Sequence, residues 1–189
     1  MTGLRRAWDP DQGEDVRIHV GQGSFEVADR HDLVFSTILG SCVSACIRDP
    51  SLGVGGMNHF LLPEAPGSGA EDRRYGVQAM ELLINGLLQV GARRDRLEAK
   101  VFGGARMTAG LADIGERNTA FVQRFLADEA IPIVARSLGG SQARRIHYWP
   151  ATGRAQQQLV RDPAMEIRER ALARPPAPTS HVGELELFG

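Results

Sequence analysis

Residues 36–43 of the chain read Ser-Thr-Ile-Leu-Gly-Ser-Cys-Val, and residues 54–60 read Val-Gly-Gly-Met-Asn-His-Phe. Between these stretches, residues 49–53 read Asp-Pro-Ser-Leu-Gly, a composition typical of a turn. Apolar, β-prone residues flank that turn on both sides. The pattern predicts a β-hairpin with a loop of about five residues.

The predicted hairpin brings a cysteine and a histidine together. A hairpin centred at the Pro50–Ser51 junction pairs Cys42 with His59 across the two strands. Directly opposed side chains have Cβ atoms roughly 4.5–5.5 Å apart, close enough for a thiol and an imidazole to share a proton. A slip of one residue would put the two side chains on opposite faces.

A thiol beside an imidazole is a nucleophile near neutral pH, because the charged ring stabilises the thiolate. Gly40 and Ser41 precede the cysteine, and a flexible turn there lets backbone N–H groups point at a developing oxyanion. The alternative is that Cys42 is a buried apolar residue and His59 a structural strand histidine.

Residues 38–43 together with residues 55–63 closely resemble the signature of the CheD family, the chemoreceptor glutamine deamidases of bacterial chemotaxis. Further blocks that resemble the family follow in the expected order, at residues 100–105, 114–118, 139–140 with Arg144, and 152–154. The resemblance covers residues from about 16 to 160.

The resemblance implies roles for particular residues. Cys42 would be the nucleophile and His59 the base. Ser36 stands where the family has the threonine that orients the imidazole, and Thr37 would replace it only if the backbone shifted, because adjacent strand residues point to opposite faces. The supporting candidates are Thr37, Gly40, Ser41, Asn58, Gly103 and Gly104.

The resemblance also implies an activity: hydrolysis of glutamine side chains of methyl-accepting chemotaxis receptors to glutamate, through a cysteine thioester and with release of ammonia. Some members also hydrolyse glutamate methyl esters, and some bind the CheC phosphatase. No metal or organic cofactor is implied. An alternative in another class is a receptor- or CheC-binding adaptor with little catalytic activity.

Composition sets limits on these readings. The 189 residues suit one domain, which we expect at residues 16–162, after a flexible lead-in (1–15) and before a C-terminal tail (163–189). The formal charge of −1 does not indicate a nucleic-acid partner. No apolar run approaches the roughly 18–20 residues that cross a bilayer, so we expect a cytoplasmic protein without membrane insertion. There, Cys42 and Cys46 would be free thiols, with Cys46 in the core.

The remaining pattern predicts helices at residues 75–90 and 116–128, strands at 97–102 and 131–135, and a second hairpin of residues 144–149 and 155–160. Gly103 and Gly104 end a strand, where they either expose N–H groups to a ligand or form a tight turn. The elements predict an α+β fold. The family resemblance implies mixed β-sheets packed face to face under outer helices, an α/β/β/α-like sandwich resembling the catalytic domain of the cytotoxic necrotizing factor toxins.

Overall fold

The computed structural model describes residues 15–62, 69–107 and 112–160, with side chains in helices described from residues 74 and 114. The predicted lead-in up to residue 14 and the predicted tail at residues 163–189 lie outside the described residues. Within the described part, the strands are β1 (Val16–His19), β2 (Phe25–Ala28), β3 (Leu33–Leu39), β4 (Val43–Asp49), β5 (Val54–Asn58), β6 (Glu98–Gly103), β7 (Ile133–Leu138), β8 (Ala143–Trp149) and β9 (Arg154–Val160). The helices are α1 (Gly69–Gln89) and α2 (Ala112–Asp128), with a short 3₁₀ turn at Arg94–Arg96.

The strands form two mixed sheets. The four-stranded sheet has the order β1-β3-β8-β9, and the five-stranded sheet has the order β2-β5-β4-β6-β7. Each sheet contains one parallel pair, β1 with β3 and β6 with β7, and the other pairs are antiparallel. The expected α+β class with mixed sheets is confirmed.

Two apolar cores hold the layers together. One lies between the sheets and joins residues of both, including Phe35, Tyr148, Met57 and Phe102. The other lies between the five-stranded sheet and the two helices. The face-to-face packing follows, since each sheet buries an apolar face against the other.

The two described helices lie on the same side of the paired sheets. Both α1 and α2 contact strands of the five-stranded sheet. Among the elements that the structure describes, no helix packs on the outer face of the four-stranded sheet. The described layers are therefore helix, sheet and sheet, and the second helical layer of the expected sandwich stays a prediction.

The first hairpin is present, but its turn is shorter than predicted. Asp49 pairs with Val54, so four residues form the turn instead of about five. The carboxylate of Asp49 accepts the N–H groups of Ser51 and Leu52, and Gly53 closes the turn with φ of 74°. The hairpin is consequently centred one residue later than the sequence suggested.

The other predicted elements are confirmed with shifted ends. Both helices begin earlier than predicted, and the second hairpin joins β8 to β9. β7 begins just after Pro132, because proline has no N–H group to donate to a neighbouring strand.

Candidate active site

Cys42 and His59 lie at adjoining ends of β4 and β5. A bridge pairs Val43 with Phe60, which places Cys42 level with Leu61 and two residues away from His59. The prediction of direct opposition is wrong, because the turn is centred one residue later. A displacement of two residues keeps both side chains on one face, as diagonal neighbours with Cβ atoms within roughly 7–8 Å.

The imidazole of His59 is held by a threonine hydroxyl. Thr37 Oγ1 lies 2.9 Å from His59 Nδ1 and donates to the carbonyl oxygen of Val20 at 2.8 Å. A hydroxyl has one proton, so Thr37 accepts a hydrogen bond from Nδ1. The Val20 oxygen also lies 3.4 Å from Nδ1 and can only accept. These bonds assign the ring proton to Nδ1 and leave Nε2 as the basic nitrogen.

The imidazole of His59 is neutral near pH 7. Burial is the main cause that lowers its pKa to about 4; the bond to the Val20 carbonyl raises the pKa and the nearby His19 lowers it. Its Nε2 is buried and has no hydrogen-bond partner among the described residues. A neutral imidazole with a buried lone pair is suited to take a proton from a neighbouring thiol.

Ser36 does not occupy the expected position. Its neighbours across the strands are His19 in β1 and His147 in β8, on the face opposite to that of Thr37. The expectation that Ser36 orients the imidazole is therefore wrong. Thr37 makes that contact from its regular place in β3, and no backbone shift is needed.

The turn before β4, residues 40–42, is held by hydrogen bonds to its carbonyl groups. The oxygens of Gly40 and Cys42 accept N–H groups of Ala105 and Gly104, each at 2.7 Å. The oxygen of Ser41 accepts from the side chain of Asn118 at 3.0 Å. The C=O and N–H groups of one trans peptide point in opposite directions. The N–H groups of Ser41 and Cys42 therefore point away from Ala105 and Asn118, which bind the carbonyls of Gly40 and Ser41.

Gly103 and Gly104 support this turn. A Cβ at Gly103 would overlap the carbonyl oxygen of Cys42, and a Cβ at Gly104 would overlap the hydroxyl of Thr119. The N–H of Gly104 is bonded to the carbonyl of Cys42, so of the two alternatives for these glycines the ligand-binding N–H does not apply to Gly104. Close backbone approach is the reason for glycine at both positions.

Asn118 and Asn58 are buried anchors. Asn118 lies inside α2 and joins the carbonyl of Ser41 to the N–H of Leu62. Asn58 faces the helix layer, where its side chain accepts the N–H of Ala45 and donates to the carbonyl of Ala79. Asn58 is thus a structural support and lies on the face opposite to that of His59.

The two cysteines lie in different environments. Cys46 belongs to the core between the sheets, and burial raises its pKa to about 12. The expectation that Cys46 is a core residue is confirmed. Cys42 is 2 % exposed and donates its S–H to the side-chain oxygen of Gln22 at 3.6 Å.

The segment from Val20 to Ser24, between β1 and β2, closes the site, and the sequence reasoning missed it. Gly23 donates to the carbonyl of His59, and His59 donates to the carbonyl of Ser24. The sequence shows only a short glycine-rich stretch in this segment, Gly21-Gln22-Gly23. No local pattern signals its contacts, because its partners lie about 20 to 40 positions further along the chain.

Comparisons with solved structures give only distant likenesses. A Neisseria meningitidis protein of the DUF152 family has a TM-score of 0.40 and 10% identity over 67% of this chain and 63% of its own. At this TM-score the likeness says nothing about activity. The expected resemblance to the cytotoxic necrotizing factor toxins remains a prediction. Over the described residues, no helix is both long enough and apolar enough to span a membrane.

Sequence comparisons are far closer. The family model described as "CheD chemotactic sensory transduction" matches residues 61–158. A Caulobacter sp. (strain K31) protein is 52% identical over 94% of this chain and 96% of its own. A Sinorhizobium medicae (strain WSM419) protein is 54% identical over 91% of this chain and 96% of its own. Both carry the name "Probable chemoreceptor glutamine deamidase CheD". The chain therefore belongs to the CheD family.

Proposed function

We propose that this protein is a protein-glutamine deamidase that converts glutamine side chains of chemoreceptors to glutamate. The names of the close relatives support the reaction and the class of substrate. The observation that carries the proposal is the His59 imidazole, which presents a basic Nε2 on the face that it shares with the Cys42 thiol.

The first step is attack of the thiol on the substrate carboxamide. The Cys42 proton moves to His59 Nε2 as the sulfur forms a bond to the carbonyl carbon, and the carbonyl π electrons move to oxygen. His59 is neutral before the reaction, because its pKa is lowered to about 4. The transfer of the thiol proton to His59 and the attack on the carbonyl carbon are therefore coupled.

The oxyanion needs hydrogen-bond donors at the turn that carries the thiol. The N–H groups of Ser41 and Cys42 point away from Ala105 and Asn118, which bind the carbonyl groups of the turn. We assign the oxyanion to these N–H groups, which a rigid turn presents with little reorganisation.

Collapse of the tetrahedral intermediate breaks the carbon–nitrogen bond. His59 Nε2 returns its proton to the departing nitrogen, and ammonia leaves behind a thioester on Cys42. Water then attacks the thioester carbon and gives one proton to Nε2. That proton returns to the sulfur as glutamate is released, so the enzyme is restored with no cofactor.

The family resemblance extends the proposal to partners. The substrates are the cytoplasmic parts of methyl-accepting receptors, and the enzyme works in the cytoplasm. CheC is a candidate partner. The thioester intermediate would also form from a glutamate methyl ester, with methanol as the leaving group.

Mass analysis of a receptor cytoplasmic fragment tests the proposal. Each deamidation adds about one dalton, because NH₂ is replaced by OH, and peptide mapping locates the glutamine. Conversion by the parent protein, and none by the Cys42→Ala or His59→Ala variants, is the expected result. Stable binding of the fragment without conversion by the parent would contradict the enzyme and favour the adaptor.

A further inference from the structure

Gln22 is an exposed residue whose side chain contacts the buried thiol of Cys42. Its side-chain oxygen is 3.6 Å from Cys42 Sγ, and Gln22 itself is exposed. Cys42 and His59 are only 2 % and 7 % exposed. The amide group of Gln22 therefore connects the buried sulfur with the protein surface.

The backbone around Gln22 is held firmly on both sides. Val20 donates its N–H to the carbonyl of Ser36 at 2.9 Å, and Gly23 donates to the carbonyl of His59 at 2.7 Å. Ser24 closes a local turn through its N–H and its hydroxyl, both of which bond to the carbonyl of Gly21. The amide of Gln22 is thus presented to the thiol by a fixed turn and not by a loose loop.

The chemistry of an amide allows two successive contacts at this position. The oxygen of Gln22 accepts the S–H group while the thiol keeps its proton. Once the proton moves to His59, the sulfur carries no donor and the substrate oxygen becomes negative. Rotation about the last side-chain bond of glutamine then presents the NH₂ group, which carries two donors, towards that oxygen.

We propose that Gln22 is a catalytic residue of the deamidation, and that its side-chain NH₂ group donates a hydrogen bond to the oxyanion of the tetrahedral intermediate. The inference rests on the proposed function and adds a side-chain donor to the backbone donors of the turn at Cys42. Gln22 transfers no proton. The carbon–sulfur bond forms, the carbonyl π electrons move to oxygen, and the thiol proton goes to His59 Nε2.

The test compares two reactions of the same thiol. Deamidation of a receptor fragment passes through an oxyanion, whereas alkylation of Cys42 by iodoacetamide does not. The variants are Gln22→Met, which keeps the length of the side chain, and Gln22→Glu, which keeps the oxygen but removes the donors. The control is Gln89→Met, an exposed glutamine at the end of α1.

The expected result is a fall in kcat of roughly 100-fold or more in both Gln22 variants, the usual effect of losing one oxyanion donor. KM should change little. The alkylation rate of Cys42 in Gln22→Met should equal or exceed that of the parent, since nothing in that reaction uses the donor. Gln89→Met should match the parent in both reactions.

Two outcomes would contradict the role of Gln22 without affecting the proposed function. One is a Gln22→Met variant with parental kcat. The other is a fall in alkylation rate equal to the fall in kcat, which would mean that Gln22 acts on the thiol. If the parent does not deamidate the fragment, the proposed function fails, and the role of Gln22 falls with it. Thermal unfolding of each variant separates loss of chemistry from loss of fold.

Discussion

The hydroxyl oxygen of Thr37 lies 2.9 Å from Nδ1 of His59, and the same hydroxyl donates to the carbonyl of Val20. This pair of bonds sets both the direction and the tautomer of the imidazole. A ring with its proton on Nδ1 has its basic lone pair on Nε2. The other tautomer carries a proton on Nε2, which could then not accept the proton of the thiol.

Thr37→Val should therefore reduce catalysis more than it reduces folding. The substitution keeps the shape of the side chain but removes the closer acceptor of Nδ1 and leaves it only the longer contact to the Val20 carbonyl. The expected loss in kcat is roughly 10- to 100-fold. Thr37→Ser should restore most of the activity. The measurement is steady-state deamidation of a receptor fragment, with thermal unfolding recorded alongside.

Ser36→Ala is the matched control for Thr37→Val, because it removes a hydroxyl from the adjacent residue on the other face of β3. It should keep kcat within a few-fold of the parent. A larger loss from Ser36→Ala than from Thr37→Val would contradict the role given to Thr37.

The pKa of His59 makes stability depend on pH. Its value is about 4 in the folded protein, below the ordinary 6.5, mainly because of burial. Between these values the unfolded chain binds more protons, so stability falls as pH falls from 6.5 towards 4. Titration of His59 should lower the free energy of unfolding by about 2 kcal/mol when the pH falls from about 7 to about 4.5.

Urea unfolding of the parent and of His59→Gln at both pH values measures this contribution. Glutamine does not titrate in this range, so the variant should lose about 2 kcal/mol less on acidification. Equal losses in the two proteins would mean that His59 is solvated and keeps its ordinary pKa.

The two cysteines should separate activity from stability. Cys42→Ala should abolish deamidation. Cys46→Ala should keep kcat but lower the free energy of unfolding by about 1–2 kcal/mol, because Cys46 lies in the core between the sheets. Activity assays and urea unfolding check both variants, and deamidation by Cys42→Ala would refute the thiol as nucleophile.

Gly103→Ala should disturb the turn that carries Cys42. The new Cβ would overlap the carbonyl oxygen of Cys42, and the residue has φ of 114°. We expect a loss of at least about 2 kcal/mol in unfolding free energy together with a loss of kcat. Urea unfolding and deamidation assays measure the two effects.

Gly139→Ala is a control with positive φ and no steric overlap, since φ is 74° and nothing lies within 4 Å of its Cβ position. It should lose about 1–2 kcal/mol from backbone strain alone and keep its kcat. If the two variants lose the same unfolding free energy and the same kcat, close packing at Gly103 is not what holds the turn that carries Cys42.

Much of the fold could be predicted because its signals are local. The turn composition between β4 and β5 predicted the hairpin, and apolar spacing predicted α1 and α2. The register could not be read off, because Asp49 and Gly53 close a turn one residue shorter than assumed. A single residue in a turn shifts every pair along the two strands.

The candidate site was predicted only where its residues are close along the chain or match the family. Cys42 and His59 belong to one hairpin, so spacing brought them together. Thr37 was assigned the lesser role, because the family comparison pointed to Ser36. Gln22 and Val20 carry no local signal of their contacts, which depend on how the β1–β2 segment crosses the hairpin.

The most direct test of the account is the intact mass of an acid-quenched mixture of the enzyme and a receptor fragment. The thioester mechanism predicts a covalent species lighter than the sum of the two chains by one ammonia, with the link mapped to Cys42. The species should be absent from Cys42→Ala and present with Cys46→Ala. Full conversion of the receptor by Cys42→Ala, or a covalent link at another residue, would contradict the mechanism.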